Sequence, residues 1–253
     1  MIDGRTAFVG GLNLGDEYIG RSRRFKSWRD THLRLEGPVV QEIQLAFLED
    51  WHWATGELPT LAWEPRAAEP GRHCVQALPT GPADALQSCQ LLFAAAINAA
   101  RDRIWIASPY FVPGSAEIAA LQLAALRGVD VRVLLPSQPD HRLVYLAGFS
   151  FYEEMLGVGV KLYRYLPGFM HQKVMLIDDR LATVGTANLD NRSFHLNFEM
   201  TVLVHDQAFA AQVAAFLRDD MDNSSLARLT DYTERSLFFR LSVRAARLLA
   251  PIL

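Results

Sequence analysis

His171 and Lys173 stand two residues apart, and Asp178 follows after four apolar residues, which gives the spacing H-x-K-x4-D. In an extended strand the side chains at i and i+2 share a face, so this imidazole and ammonium are aimed at one spot. Gly185, Asn188 and Glu199 come shortly after. An imidazole, an ammonium and a carboxamide brought together suit an oxyanion such as a phosphodiester. The imidazole can attack or protonate, while Lys173 and Asn188 neutralise and orient the non-bridging oxygens. Glu199 or Asp178 is expected to hold the second imidazole nitrogen and fix its tautomer. A lone His-x-Lys pair is more often a solvated strand edge, but lysine is scarce in this chain. Only Lys26, Lys161 and Lys173 occur among 25 basic residues. Asp190, Arg192 and Ser193, in Asn-x-Asp-x-Arg-Ser, fit either support of the phosphate or the hydrogen bonding of a turn.

The segment that follows the histidine is present twice. Residues 2–18 (IDGRTAFVGGLNLGDEY) align with residues 177–193 (IDDRLATVGTANLDNRS) at a constant offset of 175, with eight of seventeen columns identical. Unrelated segments share about one residue in fifteen, so a duplicated structural unit is expected. Asn13 then matches Asn188, and Asp3 matches Asp178. The offset carries His171 and Lys173 to positions upstream of Met1.

Several elements must position these residues. Residues 2–12 read as a strand pair ending at Gly10-Gly11, and residues 37–53 as a helix. Residues 58–82 are rich in proline and glycine and read as a connector, with a boundary near residue 75. Helices over 84–102, 115–127 and 141–156 then alternate with strands at 104–107, 129–135 and 160–163, and further strands follow at 174–177 and 181–184. Such βαβ alternation predicts an α/β sandwich with a largely parallel sheet. The expected division is a first repeat over 1–75, a second over 76–225 and a tail over 226–253.

Composition narrows the class. The 253 residues are 50% hydrophobic and 21% charged with a net charge of −3, which excludes disordered, collagen-like and coiled-coil chains and any overall attraction to nucleic acid. Cys74 and Cys89, with no CxxC spacing, suggest neither a disulfide framework nor zinc. No signal peptide and no membrane-spanning run is read, which leaves a position on a membrane surface open.

The string HQKVMLIDDRLATVGTANLDNRSFHLNFE resembles the second HKD motif of the phospholipase D superfamily. WRDTHLRLEGP, INAARDRIWIASPYFVPG and LAALRGVDVRVLLP extend the resemblance to bacterial cardiolipin synthases over nearly the whole chain. It implies a phospholipase D-like α/β/α sandwich of two pseudo-symmetric repeats, the first one truncated, around one active site. It also implies phosphatidyl transfer through a phosphohistidine, with no metal or other cofactor, and a phospholipid substrate such as phosphatidylglycerol. Carried over, His171 is a catalytic histidine, Lys173 and Asn188 bind phosphate, Glu199 orients a histidine and Asp178 is the structural carboxylate. Asn13 and Asp3 are their first-copy counterparts, and Asp30 is a weaker candidate for the partner of the first histidine.

The first histidine and lysine fall outside the chain, so it is expected to be the carboxy-terminal part of an enzyme and inactive alone. Pairing of two copies and a non-catalytic lipid-binding remnant are the other outcomes. A phospholipase D or nuclease activity is the alternative chemistry. Residues 105–111 and 149–152 are aromatic-rich and suit acyl chains better than a polyanion, though such residues are more often core. In the tail, Arg240, Arg244 and Arg247 form one helical stripe beside leucines, which suits the interface of an anionic membrane. A terminal helix docked on the body is the other reading. Peripheral location at the bacterial cell membrane is expected, with no nucleic acid partner.

Overall fold

The computed structural model describes residues 1–21 and 24–253. The chain opens with β1 (Thr6–Gly10), β2 (Trp28–Arg29), β3 (His32–Glu36) and helix α1 (Val39–Thr55). β1 pairs antiparallel with β3, placing Gly10 opposite His32. The strand pair expected within residues 2–12 is therefore replaced by a longer-range pairing, and only the single bridge Ile2–Thr6 forms locally. The left-handed backbone of Asp3 and Gly4 makes that turn.

Next come β4 (Cys74–Thr80), α2 (Ser88–Ala99), β5 (Arg103–Ala107), β6 (Phe111–Val112), α3 (Ser115–Leu126) and β7 (Asp130–Pro136). They are followed by α4 (Arg142–Phe149), α5 (Tyr152–Leu156), β8 (Lys161–Tyr165), β9 (Phe169–Met170), β10 (Val174–Ile177) and β11 (Leu181–Gly185). β12 (Leu189–Asp190), α6 (Asn191–His195), β13 (Glu199–His205), α7 (Gln207–Asp222), β14 (Ser224–Leu226), α8 (Thr230–Thr233) and α9 (Leu237–Arg247) complete the chain.

Eight strands form the central sheet in the order β14-β8-β7-β5-β10-β11-β13-β4. Its alternation is legible in the residues. Ile104 and Ile106 of β5 and Met175 and Ile177 of β10 face a core shared with α2 and α3. Trp105, Ala107, Val174 and Leu176 face the opposite core, closed by Ala210, Val213 and Leu217 of α7. Both faces are buried, as an α/β/α sandwich requires.

The sheet corrects the expectation of a largely parallel one. Only β5–β7 and β7–β8 run parallel; the other five pairs are antiparallel. After two helical crossovers β10 and β11 form a hairpin whose short turn has no room for a crossover helix, and the other antiparallel pairs join strands that are not consecutive in the chain. The connector expected over 58–82 contains β4, which pairs along the whole of β13 and runs across the expected boundary at residue 75. The helix expected over 141–156 is broken between α4 and α5.

The two copies of the repeat share backbone detail. Asp3 and Asp178 both have positive φ, 50° and 52°. A Cβ on Gly10 would lie 2.4 Å from the Thr31 carbonyl oxygen, and one on Gly185 would lie 2.5 Å from that of Met200. Both positions exclude a side chain, because the neighbouring strand backbone occupies the space. With Gly10 opposite His32 and Gly185 opposite Thr201, Asp30 and Glu199 hold matching places two residues before those partners.

Candidate active site

The parallel ladder of β2 on β9 builds the centre. Trp28 pairs with Phe169 and Arg29 with Met170, and the His171 N–H donates to the Arg29 carbonyl at 2.7 Å. The next residues along, Asp30 and His171, are thereby side by side, with Asp30 Oδ2 2.8 Å from His171 Nδ1. Lys173 Nζ lies 2.9 Å from His171 Nε2 and donates to the His171 carbonyl at 2.8 Å. The hydrogen bonds assign the tautomer: Nδ1–H donates to Asp30, and the Nε2 lone pair faces the ammonium. Trp28, Phe169 and Tyr18 surround the imidazole at centroid distances of 5.3, 6.0 and 6.2 Å.

A second network fixes the same junction from behind. Asp220 accepts from Arg29 Nε at 2.9 Å and from Gln172 Nε2 at 2.7 Å, and Gln172 Oε1 accepts from the Thr31 hydroxyl at 2.6 Å. Gln172 lies in the link between β9 and β10, bonds Asp220 and Thr31 rather than its neighbours His171 and Lys173, and is fully buried. Gly11 admits the Asp30 carboxylate, since a Cβ there would sit 2.1 Å from Asp30 Oδ1.

Burial pushes the Lys173 ammonium down to about 8, against the upward pull of Asp30 and Glu199. Lys173 is thus charged below about pH 8 and neutral above it. Affinity for inorganic phosphate, followed by NMR between pH 7 and 10, should weaken by up to about tenfold per unit above 8. An affinity that does not change across this range removes Lys173 from phosphate binding. Burial also pushes the Tyr18 hydroxyl up to about 12, with Asp30 and Glu17 adding to the effect, so it stays protonated beside the ring.

The other expected site residues divide. Asp30 takes the place on His171 Nδ1 that was expected for Glu199 or Asp178, because the short ladder crosses between the two halves of the chain. Asp178 sits at the far end of β10. Its Oδ1 accepts backbone N–H groups from Arg101, Asp102 and Arg103 at 3.1, 2.9 and 3.2 Å. Glu199 accepts from the Thr186 hydroxyl and, at 3.0 Å, from Asn197; among the described residues no histidine bonds it. Asn188 lies at the same end of the sheet, with its Oδ1 buried and unpartnered, while Asn13 is exposed and bonds the N–H of Leu14. Asp3 is exposed in its turn.

Asp190 and Ser193 act as turn residues. Asp190 caps α6 by accepting the Ser193 N–H at 2.7 Å, and the Ser193 hydroxyl accepts the Asn188 N–H at 3.0 Å. Arg192 is exposed, and its N–H donates to the carbonyl of Leu253 at 2.9 Å. Among the described residues no three His, Cys, Asp or Glu side chains gather as a metal site requires. Tyr18 and Trp28 were not singled out from sequence. Their only sequence signal is their nearness to the repeat and to Asp30.

An imidazole fixed by a buried carboxylate, with a free nitrogen beside a buried lysine, can transfer a proton to or attack a phosphodiester. Residues 93–221 match the family described as cardiolipin synthase, PLD-like domain. Cardiolipin synthase A of Pseudomonas entomophila (strain L48) is 50% identical over 253 residues, all of this chain and 53% of the relative. Cardiolipin synthase A of Pseudomonas aeruginosa (strain LESB58) is likewise 50% identical, over 51% of its length. The chain spans about half the length of the curated relatives it matches. Among solved structures, phosphatidylserine synthase of Haemophilus influenzae Rd KW20 shares the fold with a TM-score of 0.71, covering 99% of this chain and 69% of that one at 16% identity. Nuc from Salmonella typhimurium, a phospholipase D family member, has a TM-score of 0.52 over 62% of this chain and 99% of its own at 21% identity. The chain belongs to the phospholipase D superfamily, in its cardiolipin synthase group.

Proposed function

We propose that the chain supplies one histidine–lysine strand and both orienting carboxylates of a phosphatidyltransferase that converts two phosphatidylglycerols into cardiolipin and glycerol. The observation that carries this reading is the Asp30–His171–Lys173 line, in a chain half identical to cardiolipin synthases. Matching registers support the second half of the site: Asp30 serves His171, so Glu199 serves a histidine on a second H-x-K strand from outside this chain. That histidine attacks phosphorus and forms a P–N bond. His171, as the imidazolium that Asp30 stabilises, gives its Nε2 proton to the departing glycerol oxygen and is left as the Nδ1–H tautomer. It then takes the proton of the acceptor hydroxyl on Nε2, while the acceptor oxygen displaces the histidine that attacked phosphorus. Lys173 and Asn188 hold the non-bridging oxygens. In this reading residues 1–75 and 76–225 are the two repeats and 226–253 the tail.

The test is a transfer assay with labelled phosphatidylglycerol. The chain joined behind the remaining half of a relative should yield cardiolipin and glycerol in equal amounts, and the 253-residue chain alone should yield none. Equal yields from both would overturn the shared-site reading.

The site works at a membrane surface, where the tail holds the protein peripherally. No helix among the described residues is long and apolar enough to cross a membrane. α9 docks on the body through Val243 and Ala246, and Arg247 bonds Glu154 and the Ser150 carbonyl. Its outer side leaves Phe238 81% and Leu248 82% exposed, with Arg244 in its last turn. Changing Phe238 and Leu248 to serine should lower binding to phosphatidylglycerol vesicles about tenfold or more without loss of fold. Unchanged binding would remove the tail from membrane contact.

A further inference from the structure

The loops that leave the parallel strands β5 and β7 flank Lys173, at the strand ends where α/β sheets bind ligands. Val174 begins β10 opposite Ala107, and the Ser108 N–H donates to the Leu134 carbonyl at 3.1 Å. Ser108 and Lys173 line one small void. The Ser108 hydroxyl donates to the Tyr110 carbonyl at 2.7 Å and accepts the Leu189 N–H at 2.9 Å. From there the Tyr110 hydroxyl donates to Asp140 Oδ2 at 2.5 Å, and Asp140 Oδ1 accepts the His141 N–H at 2.6 Å. A carboxylate has about four acceptor positions, so about two are left beyond these hydrogen bonds, with His141 Nε2 3.9 Å from Oδ2.

Beside Asp140 lies a cavity of about 30 Å³, lined by Tyr110, Tyr145, Phe149 and Tyr152, with Arg164 among its lining. Arg164 is 9% exposed. It donates to the Tyr152 and Tyr145 hydroxyls at 3.1 and 2.5 Å and to the Ser137 carbonyl at 2.9 Å. Among the described residues no carboxylate bonds it. His141 also lines the cavity, and Arg24 donates to the Asp140 carbonyl at 3.0 Å; an amine head group would meet Arg164, an acidic one would meet Asp140, and a neutral polyol pairs with both. A water-sized group takes about 10–15 Å³, so the space holds about two hydroxyl-sized groups and excludes an acyl chain.

We propose that Asp140, Tyr110 and this cavity recognise the two vicinal hydroxyls of a glycerol head group and so select the alcohol that enters the His171 site. The proposal rests on the phosphatidyltransferase reading above and adds its choice of alcohol.

Binding of two soluble lipids to the 253-residue chain, followed by NMR, tests it. Dihexanoyl phosphatidylglycerol carries the diol, and dihexanoyl phosphatidylethanol keeps the phosphodiester without it. The diol lipid should bind about tenfold more tightly, the worth of hydrogen bonds to a charged group. Asp140→Asn should remove that preference while leaving phosphatidylethanol affinity unchanged, and the conservative Tyr110→Phe should reduce it without perturbing the fold. Equal affinity for both lipids, or a preference that survives both substitutions, overturns the proposal while leaving the phosphodiester site standing. Failure of both lipids to bind overturns the phosphodiester reading and this proposal together.

Discussion

In an assembly that supplies both histidine–lysine strands, His171→Ala should lower phosphatidyl transfer by about ten-thousandfold or more, with an unchanged circular dichroism spectrum. The size follows from the geometry. Among the described residues His171 is the one imidazole bonded to both a buried carboxylate and the buried lysine, so its loss removes the group that carries the proton. Asp30→Asn should cost about a hundredfold to ten-thousandfold, because an amide oxygen can still accept from Nδ1–H but no longer stabilises the charged imidazolium. Turnover is read as cardiolipin formed per unit time. A His171→Ala protein that retains a tenth of the parent rate would contradict the assignment.

Asp178→Ala should destabilise the fold by about 3 kcal/mol or more, which for a chain of this size lowers the melting temperature by about 6 to 12 °C. The carboxylate is 7% exposed, and its removal leaves the N–H groups of Arg101, Asp102 and Arg103 without their acceptor. Burial alone would raise this carboxyl, but those three backbone donors, with Arg180 nearby, outweigh it and hold it below the usual carboxylate range. A depressed folded value means the stabilisation is complete above the unfolded value of about 4 and disappears as the pH falls through the folded one. The gap between parent and variant, measured by denaturant unfolding, should therefore be largest near neutrality and close in acid. A gap that stays constant down to pH 2 would show that the charge on Asp178 is not the source.

The chemistry of the centre was legible because it is local. His171 and Lys173 meet as expected, though in the link between β9 and β10 rather than within a strand, and the four apolar residues before Asp178 read directly as the buried strand β10. The repeat was legible for the same reason, and the structure adds the shared positive φ of Asp3 and Asp178. What escaped depends on contacts between distant segments. Asp30 reaches His171 through strands of two residues each, too short to leave any periodicity. Its equivalence to Glu199 was hidden because the second copy is six residues shorter between the paired strands, so the constant offset of 175 fails there. β4 was hidden by Pro79 and its flanking turn residues, which an edge strand tolerates because one side needs no ladder hydrogen bonds. The antiparallel half of the sheet was missed because, apart from the β10–β11 hairpin, its pairs join strands that are not consecutive in the chain, and periodicity carries no strand direction.

The central claim is that Asp30 orients His171 across the two halves of the chain, leaving Nε2 free beside Lys173. Nitrogen-15 NMR of the neutral His171 ring in the 253-residue chain tests it most directly. The account predicts a protonated Nδ1 with a slowly exchanging, low-field proton, lost in Asp30→Ala and retained in Glu199→Ala. A ring protonated at Nε2, or one that responds to Glu199→Ala but not to Asp30→Ala, would contradict it.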